Sequence, residues 1–114
     1  MKLEDCPVHG TMKFIGGKWK PLIIFYLKEG TKRSAEIARH IPEVSGKVLT
    51  AQLRELEQDG IIRRKIFPSV PPKVEYSMTN FGKSLRPVLQ ALADWDKKYG
   101  RRRSRSKIIA STKA

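Results

Sequence analysis

The segment spanning residues 44–79 constrains the fold of this 114-residue chain more than any other part of it. Apolar residues follow helical spacing until Gly60, and two β-like runs come next, at residues 61–67 and 73–78. The sequence PSVPP at residues 68–72 separates these runs, and it suits a hairpin tip because proline has no backbone N–H to donate. The segment therefore predicts a helix that leads directly into a β-hairpin.

The helix of this segment has clear signals at both ends and an apolar stripe between them. Ser45 is a favourable N-cap, and Gly60 can adopt the left-handed conformation that ends many helices. At about 100° per residue, three leucines lie on one side of the helix and are expected to face the core. They are Leu49, Leu53 and Leu56.

The opposite side of this helix carries positive charge only. Its residues are Lys47, Thr50, Ala51, Arg54 and Gln58. Glu55 and Glu57 fall on the two borders, whereas a solvated helix usually places acids beside bases. This distribution favours a face that binds a polyanion.

The two β-like runs have the pattern of a hairpin with one buried face. In the second run, Val74, Tyr76 and Met78 alternate with polar residues, as they would in a half-buried strand. The first run contains three consecutive bases, at residues 63–65, which place positive charge on both faces of the strand. A strand with a purely structural role has no need of that charge.

Shorter helices are predicted before this segment. Residues 11–15 and 18–28 have helical apolar spacing on either side of a Gly-Gly pair. The apolar positions of the second of these helices are Trp19, Leu22, Ile23, Tyr26 and Leu27. Ser34 is a favourable cap for a further short helix, which Pro42 closes. This short helix and the helix capped by Ser45 together form a helix-turn-helix.

A long apolar stripe follows the hairpin. Thr79 is a favourable cap for a final helix that continues to Tyr99, and Pro87 is expected to bend this helix. The stripe is longer than a core already supplied by short helices and a hairpin requires, so its outer part is either a subunit contact or ordinary core. The residues assigned to a subunit contact are Met12, Leu85, Leu89, Leu92, Trp95 and Tyr99.

Net charge points to the class of partner. The chain has 24 Lys and Arg against 11 Asp and Glu, a formal net charge of +13. Six of the bases lie in residues 101–114, and subtracting them leaves 18 against 11, or +7, in residues 1–100. Nucleic acid is the commonest polyanion that such a surface binds. We predict one domain at residues 1–100, followed by a mobile basic tail at residues 101–114.

Several classes of function are excluded by composition. A single cysteine, Cys6, rules out an internal disulfide and a multi-cysteine zinc site, and His9 and His40 are too scattered to add ligands. The sequence has no phosphate-binding glycine loop and no catalytic constellation, so we expect neither an enzyme nor a cofactor or metal. No apolar run approaches the roughly 20 residues of a membrane span. The acidic start lacks the pattern of a signal peptide, which predicts a cytoplasmic protein that does not bind membranes.

A helix-turn-helix followed by a β-hairpin is a winged helix-turn-helix, a mainly α fold with a small β-hairpin wing (α+β). In this motif the second helix enters the major groove of DNA. Lys47 or Arg54 can then pair with guanine, Thr50 can bond a base or a phosphate, and the methyl group of Ala51 can contact thymine. The helix N-terminus at Ser45 offers N–H groups to a phosphate. The wing bases predicted to hold the DNA backbone or a minor groove are Arg63, Arg64 and Lys73.

Four short motifs resemble the HxlR-type family of winged-helix transcriptional regulators. They are CPV at residues 6–8, IGGKW at 15–19, LTAQLRELEQDGII at 49–62 and VPPKVEYSMT at 70–79. The resemblance covers about residues 6–99, and it implies a homodimer that binds a palindromic double-stranded DNA operator through its winged helices. It implies further that the N-terminal and C-terminal helices form the dimer. In some members of the family, a cysteine matching Cys6 senses electrophiles or oxidants.

Three questions remain open on the sequence alone. The basic surface also fits an RNA-binding protein, which needs aromatic rings free to stack on unpaired bases. Phe25 and Phe81 are the candidates for that role, because Trp19, Tyr26, Tyr76, Trp95 and Tyr99 fall on predicted core stripes. A nonspecific architectural DNA-binding protein would need a wedge residue, for which Val70 is the candidate. Cys6 is either a redox sensor or an idle thiol.

Overall fold

The computed structural model describes residues 1–100, which form six α-helices and three β-strands. The helices are α1 (Pro7–Ile15), α2 (Lys20–Leu27), α3 (Ser34–His40), α4 (Gly46–Gln58), α5 (Asn80–Lys83) and α6 (Arg86–Trp95). The strands are β1 (Lys32–Arg33), β2 (Ile62–Phe67) and β3 (Lys73–Met78). A short 3₁₀ helix at Leu3–Asp5 precedes α1, and a short π-helix at Asp96–Gly100 follows α6. The predicted tail at residues 101–114 lies outside the described residues.

The strands form one antiparallel sheet in the order β1-β3-β2. In the hairpin, Ile62 pairs with Met78 and Phe67 pairs with Lys73, so the proline-rich loop is its tip, as predicted. Strand β1 was not predicted, since its two residues are too few to produce an alternating pattern. It pairs with β3 on the side opposite to β2, so that β3 is the central strand and Lys32 is opposite Tyr76.

Helix α4 follows the predicted boundaries closely. The Ser45 hydroxyl accepts a hydrogen bond from the backbone N–H of Val48 at 3.2 Å, which is the capping contact expected of serine at this position. Gly60, just beyond the helix, has a φ of +74°, a conformation that costs glycine little and other residues more. The predicted leucine stripe is buried: Leu49, Leu53 and Leu56 have exposed fractions of 4%, 2% and 0%.

The core lies where α2, α3 and α4 meet the sheet. Its fully buried side chains are Ile23, Ile24, Leu27, Ile37, Leu56, Ile61 and Ile62. Burying the side chains of such residues is worth roughly 1.5–3 kcal/mol each. The predicted core face of α2 was partly wrong, because Leu22 is 46% exposed while Ile24, which was not assigned to it, is buried.

The C-terminal stripe was predicted as one bent helix, and this was wrong. Helix α5 ends at Lys83, and Pro87 lies in the first turn of the separate helix α6. Proline lacks the N–H that an inner helical turn requires, but in a first turn that N–H would have no partner. The same preference makes α1 begin at Pro7, which is earlier than the predicted start at residue 11.

The ends of α3 and α5 differ in how well they were predicted. Thr79 caps α5 as expected, since its hydroxyl accepts a hydrogen bond from the N–H of Gly82 at 2.9 Å. Ser34 was predicted as the cap of α3 but is its first helical residue. Arg33 is the N-cap instead, and the Glu36 carboxylate accepts a hydrogen bond from its backbone N–H at 3.0 Å. This bond gives a partner to one of the N–H groups that a helix N-terminus leaves without one.

Candidate nucleic-acid interface

The predicted binding face of α4 lies on the surface. Lys47, Thr50, Ala51 and Arg54 are all exposed, because the leucine stripe turns the other side of the helix into the core. Within residues 1–100, neither Lys47 nor Arg54 forms an ion pair with an acid. Both cationic groups are therefore available to an anionic partner.

The Thr50 side chain is more restricted than its exposure suggests. Its hydroxyl donates a hydrogen bond to the backbone carbonyl of Gly46 at 2.9 Å, one turn earlier in α4. With its proton used in this way, the hydroxyl oxygen still has lone pairs that accept. In this rotamer Thr50 is suited to receive a hydrogen bond, and it must rotate to donate one to a phosphate.

The wing bases divide between the two faces of the hairpin, as the sequence indicated. Arg63 pairs with Ser77 and Lys65 with Glu75 on one face, while Arg64 pairs with Tyr76 on the other. Two of the three predicted wing contacts are also joined to acids. Arg64 Nε lies 3.5 Å from Glu57 Oε1, and Lys73 Nζ lies 3.1 Å from Glu75 Oε2. Among the predicted wing contacts, Arg63 is the one without an acidic partner in residues 1–100.

Phe67 organises the bases near the tip of the wing, a role that sequence reasoning missed. The ammonium groups of Lys65 and Lys73 each lie 4.9 Å from the centre of its ring. Cations at that distance are attracted by the electron-rich face of an aromatic ring. The strand register could have revealed the cluster, since Lys73 is directly opposite Phe67.

Tyr76 lies at the junction between α4 and the wing. Burial raises the pKa of the Tyr76 phenol above its ordinary value, and the nearby Glu57 carboxylate acts in the same direction. Arg64 and Arg54 oppose this shift. The charges that act on the Tyr76 phenol therefore come both from α4 and from the wing.

A further contact of α4 comes from outside the helix-turn-helix pattern and was not predicted. Lys20, in the first turn of α2, donates a hydrogen bond to Glu55 at an Nζ–Oε1 distance of 2.7 Å. Lys20 is 9% exposed, and it is the only charged residue that is buried within residues 1–100. A lone base in the otherwise apolar sequence KPLIIFYL was the available signal, because a lysine among buried residues needs a partner.

The terminal helices expose a set of apolar side chains. Met12, Leu92, Trp95 and Tyr99, four of the residues predicted at a subunit contact, are 46–61% exposed. Phe81 is also 52% exposed. An open cleft of about 390 Å³ lies between α1 and α5, with Phe14 and Phe81 among its lining residues. The other two residues predicted at the subunit contact are less exposed than these four. Leu89 is only 4% exposed and belongs to the core of the single chain, and Leu85 is partly buried against that core.

Cys6 lies at the N-terminal end of α1. Its thiol is free and partly buried, and its side chain makes no capping hydrogen bond. Residues 1–100 contain no group of three or more His, Cys, Asp or Glu that could hold a metal ion. In the same part of the chain, no helix is long and apolar enough to cross a membrane.

These observations define the class of protein. Two consecutive helices place an exposed basic face next to a basic β-hairpin, which is the arrangement of a winged helix-turn-helix DNA-binding protein. The chain belongs to the HxlR-like helix-turn-helix family, whose model matches residues 14–104. It is therefore a DNA-binding transcriptional regulator.

Similar proteins support this assignment. The chain is 49% identical over 96 residues to the HTH-type transcriptional regulator YdeP of Bacillus subtilis, covering 84% of this chain and 75% of YdeP. It is 50% identical over 95 residues to an HTH-type transcriptional regulator of Methanothermobacter thermautotrophicus, covering 83% and 72% of the two chains. Among solved structures, the redox regulator HypR in its oxidised form has a TM-score of 0.79 and 45% identity, covering 82% of this chain and 96% of HypR.

Proposed function

We propose that the protein acts as a homodimer on a palindromic operator, with α4 of each subunit in the major groove. The observation that carries this proposal is the outward projection of Lys47 and Arg54 from a helix whose other side is buried. Either base can form the paired contact to guanine O6 and N7 that contributes most to sequence discrimination. The proposed domain comprises residues 1–100, and the basic residues 101–114 add phosphate attraction without base contact.

The proposed contacts differ in what they contribute. Arg54, Lys47 and the Ala51 methyl group read base edges, whereas the helix N-terminus at Ser45 binds a phosphate. Thr50 binds a phosphate after its hydroxyl rotates away from the Gly46 carbonyl. On the wing, Arg63 is the foremost phosphate contact, because Arg64 and Lys73 are each close to a carboxylate that weakens their attraction to DNA. The wing therefore positions the protein and α4 reads the sequence.

The proposed dimer forms through the terminal helices. Exposed side chains on α1 and α6, among them Met12, Leu92 and Trp95, present apolar surface that a single chain leaves in water. A dimer that binds two successive half-sites of a duplex must place its two α4 helices roughly 34 Å apart. The two-fold symmetry of such a dimer is what makes a palindromic operator its natural target.

An Arg54→Ala variant tests the proposed recognition. We expect it to lose roughly 10- to 100-fold of the preference for a duplex selected by the wild-type protein from a random pool, over a scrambled duplex, as a lost guanine contact would. Fluorescence anisotropy with both duplexes measures this ratio. Arg63→Ala is the matched control, and we expect it to weaken both duplexes equally and to reduce the salt dependence by about one phosphate contact.

The same assay separates the proposed function from its alternatives. Equal binding of the wild-type protein to selected and scrambled duplexes would indicate a nonspecific architectural protein, and a preference for structured RNA would indicate an RNA-binding one. The RNA alternative needs aromatic rings free to stack on bases. Phe25 does not fit this role well, because its side chain packs against the core. The ammonium group of Lys28 also covers its ring, at 3.8 Å from the ring centre.

We also propose that oxidation or alkylation of Cys6 weakens operator binding. Cys6 immediately precedes α1, a helix of the proposed dimer contact, so a modified thiol would alter the packing of that helix. The similarity to HypR, solved in an oxidised form as a redox regulator, supports this role.

Cys6→Ser tests the redox role. Treatment with diamide or a quinone is expected to weaken binding of the wild-type protein to its selected duplex by roughly tenfold or more, and Cys6→Ser should bind equally well with and without treatment. Cys6 is the only cysteine in the chain, so diamide can form a disulfide only between the Cys6 thiols of two chains, with reduction of the diamide, whereas a quinone alkylates a single Cys6 thiol. An identical response of the two proteins would exclude sensing through this residue.

A further inference from the structure

The ion pair between Lys20 and Glu55 combines two unusual properties. The side chain of Lys20 is only 11% exposed, whereas that of Glu55 is 50% exposed, and the two charged atoms are 2.7 Å apart. Withdrawing an ammonium group from water is unfavourable unless a close partner compensates for it. Glu55 provides that partner. The buried ammonium group of Lys20 in turn neutralises the negative charge of the half-exposed Glu55 carboxylate.

Glu55 occupies a sensitive position in the proposed interface. It follows Arg54 in α4 and lies at the border of the exposed basic face, on the side next to α2. An uncompensated carboxylate at that border would repel the phosphates of any duplex bound to the face, and the repulsion would extend over about 10 Å at 0.1 M salt. Lys20 is separated from Glu55 by 35 residues in the sequence, so the tertiary structure brings this compensation to the helix.

The acid on the other border of α4 has a weaker arrangement. Glu57 is 3.5 Å from Arg64, and their side chains are 36% and 46% exposed, so water screens the interaction. Arg64 can leave this contact for a phosphate at little cost. Lys20, being buried, cannot turn outward in the same way, and it remains with Glu55.

We propose that Lys20 is a positioning residue for DNA binding: it holds the Glu55 carboxylate against α2 and cancels its charge beside the DNA-binding face. Lys20 itself makes no contact with DNA. This inference rests on the proposed function, since it presupposes that the exposed face of α4 is bound to a duplex.

The experiment measures DNA affinity and thermal stability in the full chain. The probes are a duplex selected by the wild-type protein and a scrambled duplex, in fluorescence anisotropy at 0.1 M and 0.5 M salt. We expect Lys20→Met to bind both duplexes roughly tenfold more weakly at 0.1 M salt and to approach the wild-type affinity at 0.5 M, where screening acts within about 4 Å. Lys28→Met is the control, since it removes the same charge from the exposed end of α2.

The second substitution distinguishes charge compensation from structural support. In Lys20→Met/Glu55→Gln the carboxylate is gone but the ion pair is not restored. We expect DNA affinity to return to within about threefold of the wild type, while the melting temperature changes little between Lys20→Met and the double variant, because the Glu55 side chain is half exposed and water solvates its charge. Lys20→Gln, which keeps a hydrogen-bond donor but not the charge, should lose DNA affinity with a smaller loss of stability, and it serves if Lys20→Met does not fold.

Two results would overturn the inference. One is a loss of affinity that persists in the double variant, which would mean that Lys20 acts only through the stability of the fold. The other is an equal loss in Lys28→Met, which would mean that only net charge matters. A wild-type protein that binds selected and scrambled duplexes equally would instead refute the proposed sequence-specific function, and so the two failures are distinguishable.

Discussion

Gly82→Ala is expected to destabilise the protein by roughly 2–3 kcal/mol, because the added methyl group has no room. A Cβ at this position would clash with the backbone carbonyl oxygen of Ile61, and it would lie 2.9 Å from the carbonyl carbon. Ile61 cannot give way easily, since its carbonyl also accepts a hydrogen bond from the N–H of Thr79 at 3.1 Å. Either this contact or the cap of α5 at Thr79 must shift.

Thermal unfolding followed by circular dichroism measures this effect. For a domain of this size, the loss corresponds to a melting temperature lower by about 10 °C. Gly46→Ala is the matched control, because a Cβ at Gly46 would have no atom within 4 Å, and alanine is favourable in a helix. We expect this control to melt at or slightly above the wild-type temperature. Equal melting temperatures for Gly82→Ala and the wild type would contradict the close approach of α5 to Ile61.

Trp95→Glu is expected to weaken the proposed dimer by roughly 100-fold or more, since it would bury a charge against apolar surface. Trp95 is 61% exposed at the end of α6, and its ring lies 5.9 Å from that of Tyr99. In the single chain such exposure contributes little to folding. The substitution should therefore change association far more than the stability of the subunit.

Sedimentation velocity over a range of concentrations tests this expectation. The molar mass of the wild type from sedimentation should be about twice the 13.0 kDa of one chain. At concentrations where the wild type is associated, Trp95→Glu should have the mass of a single chain. Val70→Glu is the control, because Val70 is an apolar residue that is fully exposed at the wing tip, away from the terminal helices. If Trp95→Glu stayed associated like this control, the dimer would have to form through another surface.

Local signals in the sequence were sufficient for most of the helix-turn-helix. The cap at Ser45, the left-handed Gly60 and the buried leucines of α4 were all predicted and are confirmed. Each depends on the chemistry of one residue or on the period of one helix. Strand β3 was predicted with the same boundaries because its alternation of apolar and polar residues covers its whole length.

The sequence predicted burial wrongly where the elements packed against a helix, rather than its own sequence, decide which of its side chains are buried. Helix α2 is covered on a broad side, so Ile24 is buried although the predicted stripe did not include it. Leu89 and Trp95 belong to one apolar stripe in the sequence, yet Leu89 is buried in the core and Trp95 is 61% exposed. Helical spacing gives the angle of a side chain around its axis, but not which parts of the axis a neighbouring element covers.

The sequence by itself determined the helix-turn-helix, the wing and a basic face on α4, since caps, turns and apolar periods act over a few neighbouring residues. Only the tertiary structure decided which charges remain available on that face. It brings Lys20 to Glu55 and Arg64 to Glu57, and it leaves Lys47 and Arg54 without an acidic partner in residues 1–100. The physical reason is that electrostatic interaction depends on distance and burial, and residues far apart in the chain acquire both only when it folds.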